Sequence, residues 1–167
     1  MPNTFIGIDP GKKGSIVVLS SGTVTSIKMP TIKDELDYHS LYKTISDYKD
    51  QDAIIGFEKL GVIFGTGKST AFSMGYQSGA IEMVCIALAI PYVMIPAKQW
   101  QKEMFMGITT INKSGSSKLD TKAMALVAAQ RLFPNVDLKF GTRSTKPHDG
   151  LVDALLIAEF LKRKYNV

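Results

Sequence analysis

The stretch 149–164 constrains the fold most, because its apolar residues leave no side of a helix free for solvent. At 3.6 residues per turn, Leu151, Ala154, Leu155 and Ala158 line one stripe with Lys162 at its end, while Leu156 and Phe160 lie on the opposite side. A helix apolar nearly all round has to be enclosed, so the rest of the chain must wrap it. Two carboxylates share this helix. Asp149 and Asp153 are four residues apart and stack on one face, where like charges repel unless a cation lies between them. Asp149 is also placed to cap the helix. Asp153 has no such alternative: beside Leu156, Ile157 and Phe160 an unpaired carboxylate is costly to desolvate, and it needs a cation or a lysine.

The wrapping has to come from the segments upstream. Three short β-rich runs, 4–9, 14–19 and 23–29, are separated by Pro10-Gly11 and Ser21-Gly22, a spacing that predicts an antiparallel meander. Leu41, Ile45 and Tyr48 predict a helix over 36–48, followed by a buried strand over 53–57. A strand reached through a helical crossover is expected to run parallel to its neighbour. Residues 70–89 form a helical pattern rich in small residues, 92–95 a fifth strand bounded by Pro91 and Pro96, and helices follow at 97–105, 119–133 and 149–164. No repeat, low-complexity tract or linker divides the 167 residues. A single α/β domain over 1–167 is expected, a mixed five-stranded sheet with helices on both faces. The order βββαβαβα is similar to that of the RNase H-like superfamily.

Charge narrows the class of partner. Twenty Lys and Arg against 15 Asp and Glu give a net charge of +5 and a pI near 9.2, which favours a polyanion without naming one. No apolar run approaches the ~20 residues that cross a bilayer, so no membrane partner is expected. The start, Met1-Pro2-Asn3-Thr4, lacks a basic then apolar leader, and the cytoplasm is the expected compartment. Cys85, the one cysteine, sits between Val84 and Ile86 and reads as core rather than as a reactive thiol.

Two further carboxylates stand at strand ends. Asp9 closes the first strand just before Pro10-Gly11, so it projects where the chain turns; an aspartate opening a type I turn is the plainer reading. Glu58 ends the fourth strand after Ile54-Ile55-Gly56-Phe57, where simple solvation is the plainer reading. If the two strands are neighbours, the carboxylates meet. Four carboxylates from three segments point to hard divalent cations, Mg²⁺ first and Mn²⁺ as the alternative, which take oxygen ligands and keep waters and phosphate oxygens in their shell. Two such ions about 4 Å apart can activate a water and stabilise the leaving 3′ oxygen in an in-line displacement, without a covalent protein intermediate. His148, next to Asp149, is a candidate ligand or proton shuttle, set against a loop histidine without a role.

Taken in order, Phe5-Ile6-Gly7-Ile8-Asp9-Pro10-Gly11, Gly56-Phe57-Glu58-Lys59 and the run from His148 to Ala158 resemble the three acidic motifs of the RuvC-type Holliday junction resolvases, especially those of phages. The resemblance spans nearly the whole chain. It implies an endodeoxyribonuclease, with Asp9, Glu58, Asp149 and Asp153 as metal-binding catalytic residues. It also implies a homodimer that places two active sites on one four-way junction, in the cytoplasm of a bacterium or of a phage's bacterial host. Two departures stand out. In bacterial members the last two acidic positions, or a histidine in place of the first, are three residues apart; here Gly150 holds that position and Asp149 lies one residue earlier. Those members also carry an aromatic wedge soon after the glutamate, whereas Lys59-Leu60-Gly61-Val62-Ile63-Phe64 follows here. Phe64 is a candidate wedge or a core residue, and Lys59 a candidate DNA contact. The implied substrate widens accordingly from the four-way junction to Y-forks and three-way junctions.

By the same resemblance, Lys102 and Lys122 match two basic positions that face DNA near the active site, contacting phosphates or stabilising transition-state charge. Residues 112–118 read as a flexible loop offering Lys113 and Lys118 to the phosphate backbone. Gly65, Gly67 and Lys68 superficially resemble a phosphate-binding loop, but position 62 is Val where that motif needs Gly, so no nucleotide cofactor is expected. The 70–89 helix, with Met74, Gly75, Ser78, Gly79, Ile81 and Met83, is either a dimer surface or a face packed on the sheet. Two other classes compete. A non-catalytic branched-DNA-binding module of the same fold would be expected to have lost an acidic residue, and all four are present. A nucleotide-binding fragment of the actin and sugar-kinase type needs a second similar domain and leaves Glu58 and the Asp149/Asp153 pair unassigned.

Overall fold

The computed structural model describes residues 1–59 and 67–165. Its first three strands, β1 (Thr4–Asp9), β2 (Ser15–Ser20) and β3 (Thr23–Lys28), form the antiparallel meander that the turn residues predict. A small hairpin of β4 (Thr31–Ile32) and β5 (Glu35–Leu36) follows, where the sequence pattern starts a helix at 36. Lys33 and Asp34 between them both have positive φ, 50° and 60°, the pairing that a type I′ turn requires. The helix, α1 (Tyr38–Ser46), then starts two residues late because Asp37 caps it: the Ser40 N–H donates to Asp37 Oδ1 at 3.1 Å.

After α1, β6 (Ala53–Glu58) returns parallel to β1, and beyond α2 (Lys68–Ala87) the strand β7 (Tyr92–Ile95) runs parallel to β6. The five strands lie in the order β3-β2-β1-β6-β7. Three helices complete the chain: α3 (Ala97–Met104), α4 (Thr121–Leu132) and α5 (Asp149–Tyr165).

Alternation along the strands splits the core into two layers. Phe5, Val17, Leu19 and Ile54 pack with residues of α3, α4 and α5. Ile6, Ile8, Ile16, Ile55 and Phe57 turn the other way and meet Leu41 and Ile45 of α1 and Ile81 and Cys85 of α2. Helices therefore cover both faces, as expected. Cys85 is fully buried, and burial pushes its thiol up to about 12, in keeping with a core role. Among the described residues no helix is long and apolar enough to cross a membrane.

The enclosure of α5 depends on two glycines paired in register, Gly7 of β1 and Gly56 of β6. A β-carbon at Gly7 would collide with the Ala154 carbonyl and lie 2.6 Å from the Ala158 nitrogen. One at Gly56 would lie 2.8 Å from Leu161 Cδ1. The helix thus rests directly on the backbone of the two central parallel strands. That contact delivers Asp153 to the end of the sheet where β1 and β6 stop.

Candidate active site

Period-two alternation puts the ends of β1 and β6 on the same side as Gly7 and Gly56, the side covered by α5. The last paired residues are Ile8 and Phe57, so Asp9 and Glu58 come next on adjacent parallel strands. Asp153, one turn into α5, feels both of them. Burial, followed by the fields of Asp9, Glu58 and Asp149, pushes its carboxyl up to about 7, with Lys122 opposing. Burial also raises Asp9, countered by the Gly11 N–H, which donates to Asp9 Oδ1 at 3.3 Å, and by His148. The turn role and the site role of Asp9 therefore coexist. Glu58 is raised by burial too, countered by an indole donor from Trp100 at 2.9 Å.

Asp149 belongs to the rim of this cluster rather than its floor. Lys122 Nζ lies 2.7 Å from Asp149 Oδ2, and the two side chains are 74% and 63% exposed. Its candidate capping role is taken by His148. The Leu151 N–H donates to His148 Nδ1 at 3.2 Å, and the backbone N–H groups of Leu151 and Val152 donate to the His148 carbonyl. Asp149 is instead the first residue of α5. The His148 ring stands edge-on to Phe140, with centroids 5.0 Å apart, and its backbone N–H donates to the Leu138 carbonyl at 2.8 Å. That loop fixes where α5 begins.

Of the basic candidates, Lys122 borders the acidic cluster. A cavity of about 320 Å³ joins Lys122, Lys146, Asp149 and Asp153. Lys102 is exposed on α3, and Lys59 is exposed just past β6, its backbone N–H donating to the Ile95 carbonyl at 2.9 Å. Lys113 and Lys118 are exposed on a loop whose ends are bridged: Asn112 pairs with Leu119, and the Lys113 N–H donates to the Lys118 carbonyl at 2.9 Å. Phe64 and Gly65 lie outside the described residues, and Lys68 opens α2.

The acids fit a hard divalent cation by chemistry. Asp9, Glu58 and Asp153 form an all-oxygen set of partly buried carboxylates, and among the described residues none has a salt-bridge partner. Ser15, the cross-strand partner of Asp9, is fully buried with a hydroxyl that finds no partner among the described residues. As the side chains stand, no three described His, Cys, Asp or Glu residues enclose an ion by themselves. Water and phosphate oxygens would have to complete the shell, which is the habit of Mg²⁺.

Sequence reasoning missed one member of this site, Trp100. Its contact spans 42 positions of sequence, and the only signal was a lone tryptophan one turn into a helix that follows a strand end.

No family model matches the sequence, and no curated protein matches it. Solved structures do. The chain is similar to T. thermophilus RuvC in complex with Holliday junction substrate, at a TM-score of 0.60 and 14% identity over 97% of this chain and 96% of that one. It is similar also to a second Thermus thermophilus RuvC structure, at a TM-score of 0.56 and 17% identity over 96% of both. The fold is RNase H-like, of the kind RuvC builds.

Proposed function

We propose that this chain is a divalent-metal-dependent endonuclease that cuts branched DNA, four-way junctions foremost, as a homodimer. The observation that carries the reading is the meeting of Asp9 and Glu58, at the ends of neighbouring parallel strands, with Asp153 of α5, whose charge no cation partners among the described residues. Asp9, Glu58 and Asp153, with Asp149 at the rim, would hold Mg²⁺ or Mn²⁺, two ions to a site. When bound, such ions supply an activated water and charge neutralisation at the leaving 3′ oxygen.

The chain's own groups do the rest. Trp100 and the Gly11 N–H hold Glu58 and Asp9 in place, and the His148 cap fixes the start of α5 and so the positions of both its aspartates. His148 is also the candidate proton carrier. Lys122, at the edge of the cavity beside Asp153, offers charge to the scissile phosphate. Lys59, Lys102, Lys113 and Lys118 meet the backbone further out, giving salt-sensitive, sequence-independent contacts.

Support for a dimer comes from α2. Ile81 and Cys85 anchor it to the sheet, yet Phe72 and Tyr76 remain 76% and 61% exposed, and Met83 and Ile86 are exposed with them. Among the described residues a β-carbon at Gly75 or Gly79 would meet nothing within 4 Å, which leaves room for a close helix approach. The complex with a Holliday junction recorded for T. thermophilus RuvC supports branched DNA as the substrate class.

The test is cleavage of labelled four-way junction, three-way junction, Y-fork and linear duplex, in Mg²⁺, Mn²⁺ or EDTA, by the wild type and Asp153→Asn. Metal-dependent cutting of branched DNA alone, lost in the variant, is expected. Binding without cutting in either metal overturns the nuclease and leaves a binding module; equal cutting of linear duplex removes the substrate preference.

A further inference from the structure

Trp100 is the only tryptophan of the chain and is 1% exposed. A buried indole N–H is a donor with a single use and must find an acceptor. Here the acceptor is the Glu58 carboxylate, with Trp100 Nε1 2.9 Å from Oε1. The ring is held in turn: it packs edge-on against Phe105, with centroids 6.0 Å apart, and lies in the core layer with Ile95, Met104 and Leu161. Its helix follows β7 after one intervening residue, Pro96. The carboxyl end of β6 is thereby clamped twice to the next segment of the fold, once by the Lys59 N–H on the Ile95 carbonyl and once by the indole on Glu58.

A glutamate reaches its carboxylate through three rotatable bonds, so a site that uses one needs something to stop it swinging. Donors that orient ligating carboxylates are typically worth roughly ten- to a hundredfold in metal affinity. We infer that Trp100 is a positioning residue whose indole N–H pins one oxygen of Glu58 and leaves the other for the metal, so that the emission of this one tryptophan reports metal binding. The inference rests on the nuclease reading, in which Glu58 is a ligand. It adds a residue that no acidic motif contains.

Two measurements test it. In wild type, the tryptophan emission is followed while Mg²⁺ is added without DNA, and Mn²⁺ binding is counted by electron paramagnetic resonance. A saturable emission change that tracks Mn²⁺-competed binding, and that vanishes in Glu58→Gln, is expected. Trp100→Phe, which keeps an aromatic ring and removes the N–H, is expected to weaken Mn²⁺ binding roughly tenfold or more. It should raise the Mg²⁺ needed for half-maximal cleavage by a similar factor, with junction binding in EDTA unchanged. Wild type that binds metal and cuts, but with an emission blind to metal or with Trp100→Phe binding as wild type does, overturns the positioning role alone. Wild type that neither binds metal nor cuts overturns the nuclease reading and the inference together. The emission arm needs no substitution at 100, so a Trp100→Phe chain that fails to fold does not rescue the idea.

Discussion

A β-carbon on Gly150 would stand 2.6 Å from Asp9 Oδ2, 2.7 Å from the Lys13 carbonyl oxygen and 2.8 Å from Gly14 Cα. The first turn of α5 therefore sits on the carboxylate that ends β1 and on the turn behind it. With β1 and α5 this close, position 150 has no room for a side chain, and Asp149, one residue earlier, stays exposed.

Gly150→Ala should then displace backbone and not merely a rotamer, because two of the three nearest atoms are main chain. A loss of about 2–3 kcal/mol in folding stability is expected, as for other overpacked core sites. Cleavage should drop at least tenfold as Asp9 moves. Gly150→Asp, which restores the three-residue spacing, should be worse than Gly150→Ala on both counts. Denaturant midpoints and cleavage rates check this, and an Ala variant with an unmoved midpoint would show that α5 can back away from Asp9.

The buried carboxylates predict an unusual pH profile for the metal-free chain. Asp153 is raised from 3.8 to about 7, and Asp9 and Glu58 move in the same direction. A group whose folded pKa is raised contributes stability below its unfolded value and loses it as pH rises through the folded one. Stability in EDTA should fall between about pH 4 and pH 7 through these groups, against the usual behaviour of carboxylates. Each tenfold change in proton affinity is worth about 1.4 kcal/mol, so the Asp153 contribution amounts to a few kcal/mol. Melting temperature against pH, with and without Mg²⁺, is the measurement: the metal should restore most stability near and above pH 7. A metal-free melting temperature that rises from pH 4 to 7 contradicts the burial of this cluster.

Asp153→Asn separates stability from activity. Replacing a partly buried charge with a neutral amide of nearly the same shape should raise the metal-free melting temperature at pH 8, by about 1–3 kcal/mol in stability. On the proposed nuclease reading the same change should cut cleavage by ~10³-fold or more, because it removes a charge that would face the metal. A variant less stable than wild type in EDTA at pH 8 would mean that Asp153 has a cationic partner in solution.

Much of this was readable in the sequence because two simple periods carry it. Period two along 4–9 and 53–58 puts Asp9 and Glu58 on one side with Gly7 and Gly56, and the all-round apolar pattern of 149–164 fixes α5 as the buried helix. What was not readable depends on contacts between distant segments or on backbone conformation. The Trp100 indole meets Glu58 across 42 residues, and no local pattern at either position implies the other. Lys33 and Asp34 make a left-handed turn without the Asn-Gly or Asp-Gly pair that signals one, so the hairpin before α1 had no marker. Asp149 was one candidate for the cap because aspartate is among the residues favoured there; His148 takes the position, its ring edge-on to Phe140 with an acceptor nitrogen at the Leu151 N–H.

Lys122 and Asp149 give the last prediction. Their contact is short, 2.7 Å, but both side chains are mostly in water, so the pair contributes little to folding, about 0.5 kcal/mol or less. Lys122→Ala and Asp149→Asn should each leave the melting temperature nearly unchanged. Their functional effects should differ. Lys122 borders the cavity that contains Asp153, and on the proposed nuclease reading its loss removes a cation that would face developing phosphate charge and is expected to slow cleavage by roughly 10²-fold. It should also lower the slope of log affinity against log salt by about one, measured with four-way junction in EDTA. Asp149→Asn should keep that slope and slow cleavage less than Asp153→Asn does, since the rim carboxylate is already matched by a lysine while the buried one is not. Equal loss in the two aspartate variants would move Asp149 from the rim to the centre of the site. An unchanged salt slope in Lys122→Ala would mean that the lysine serves Asp149 and does not touch DNA.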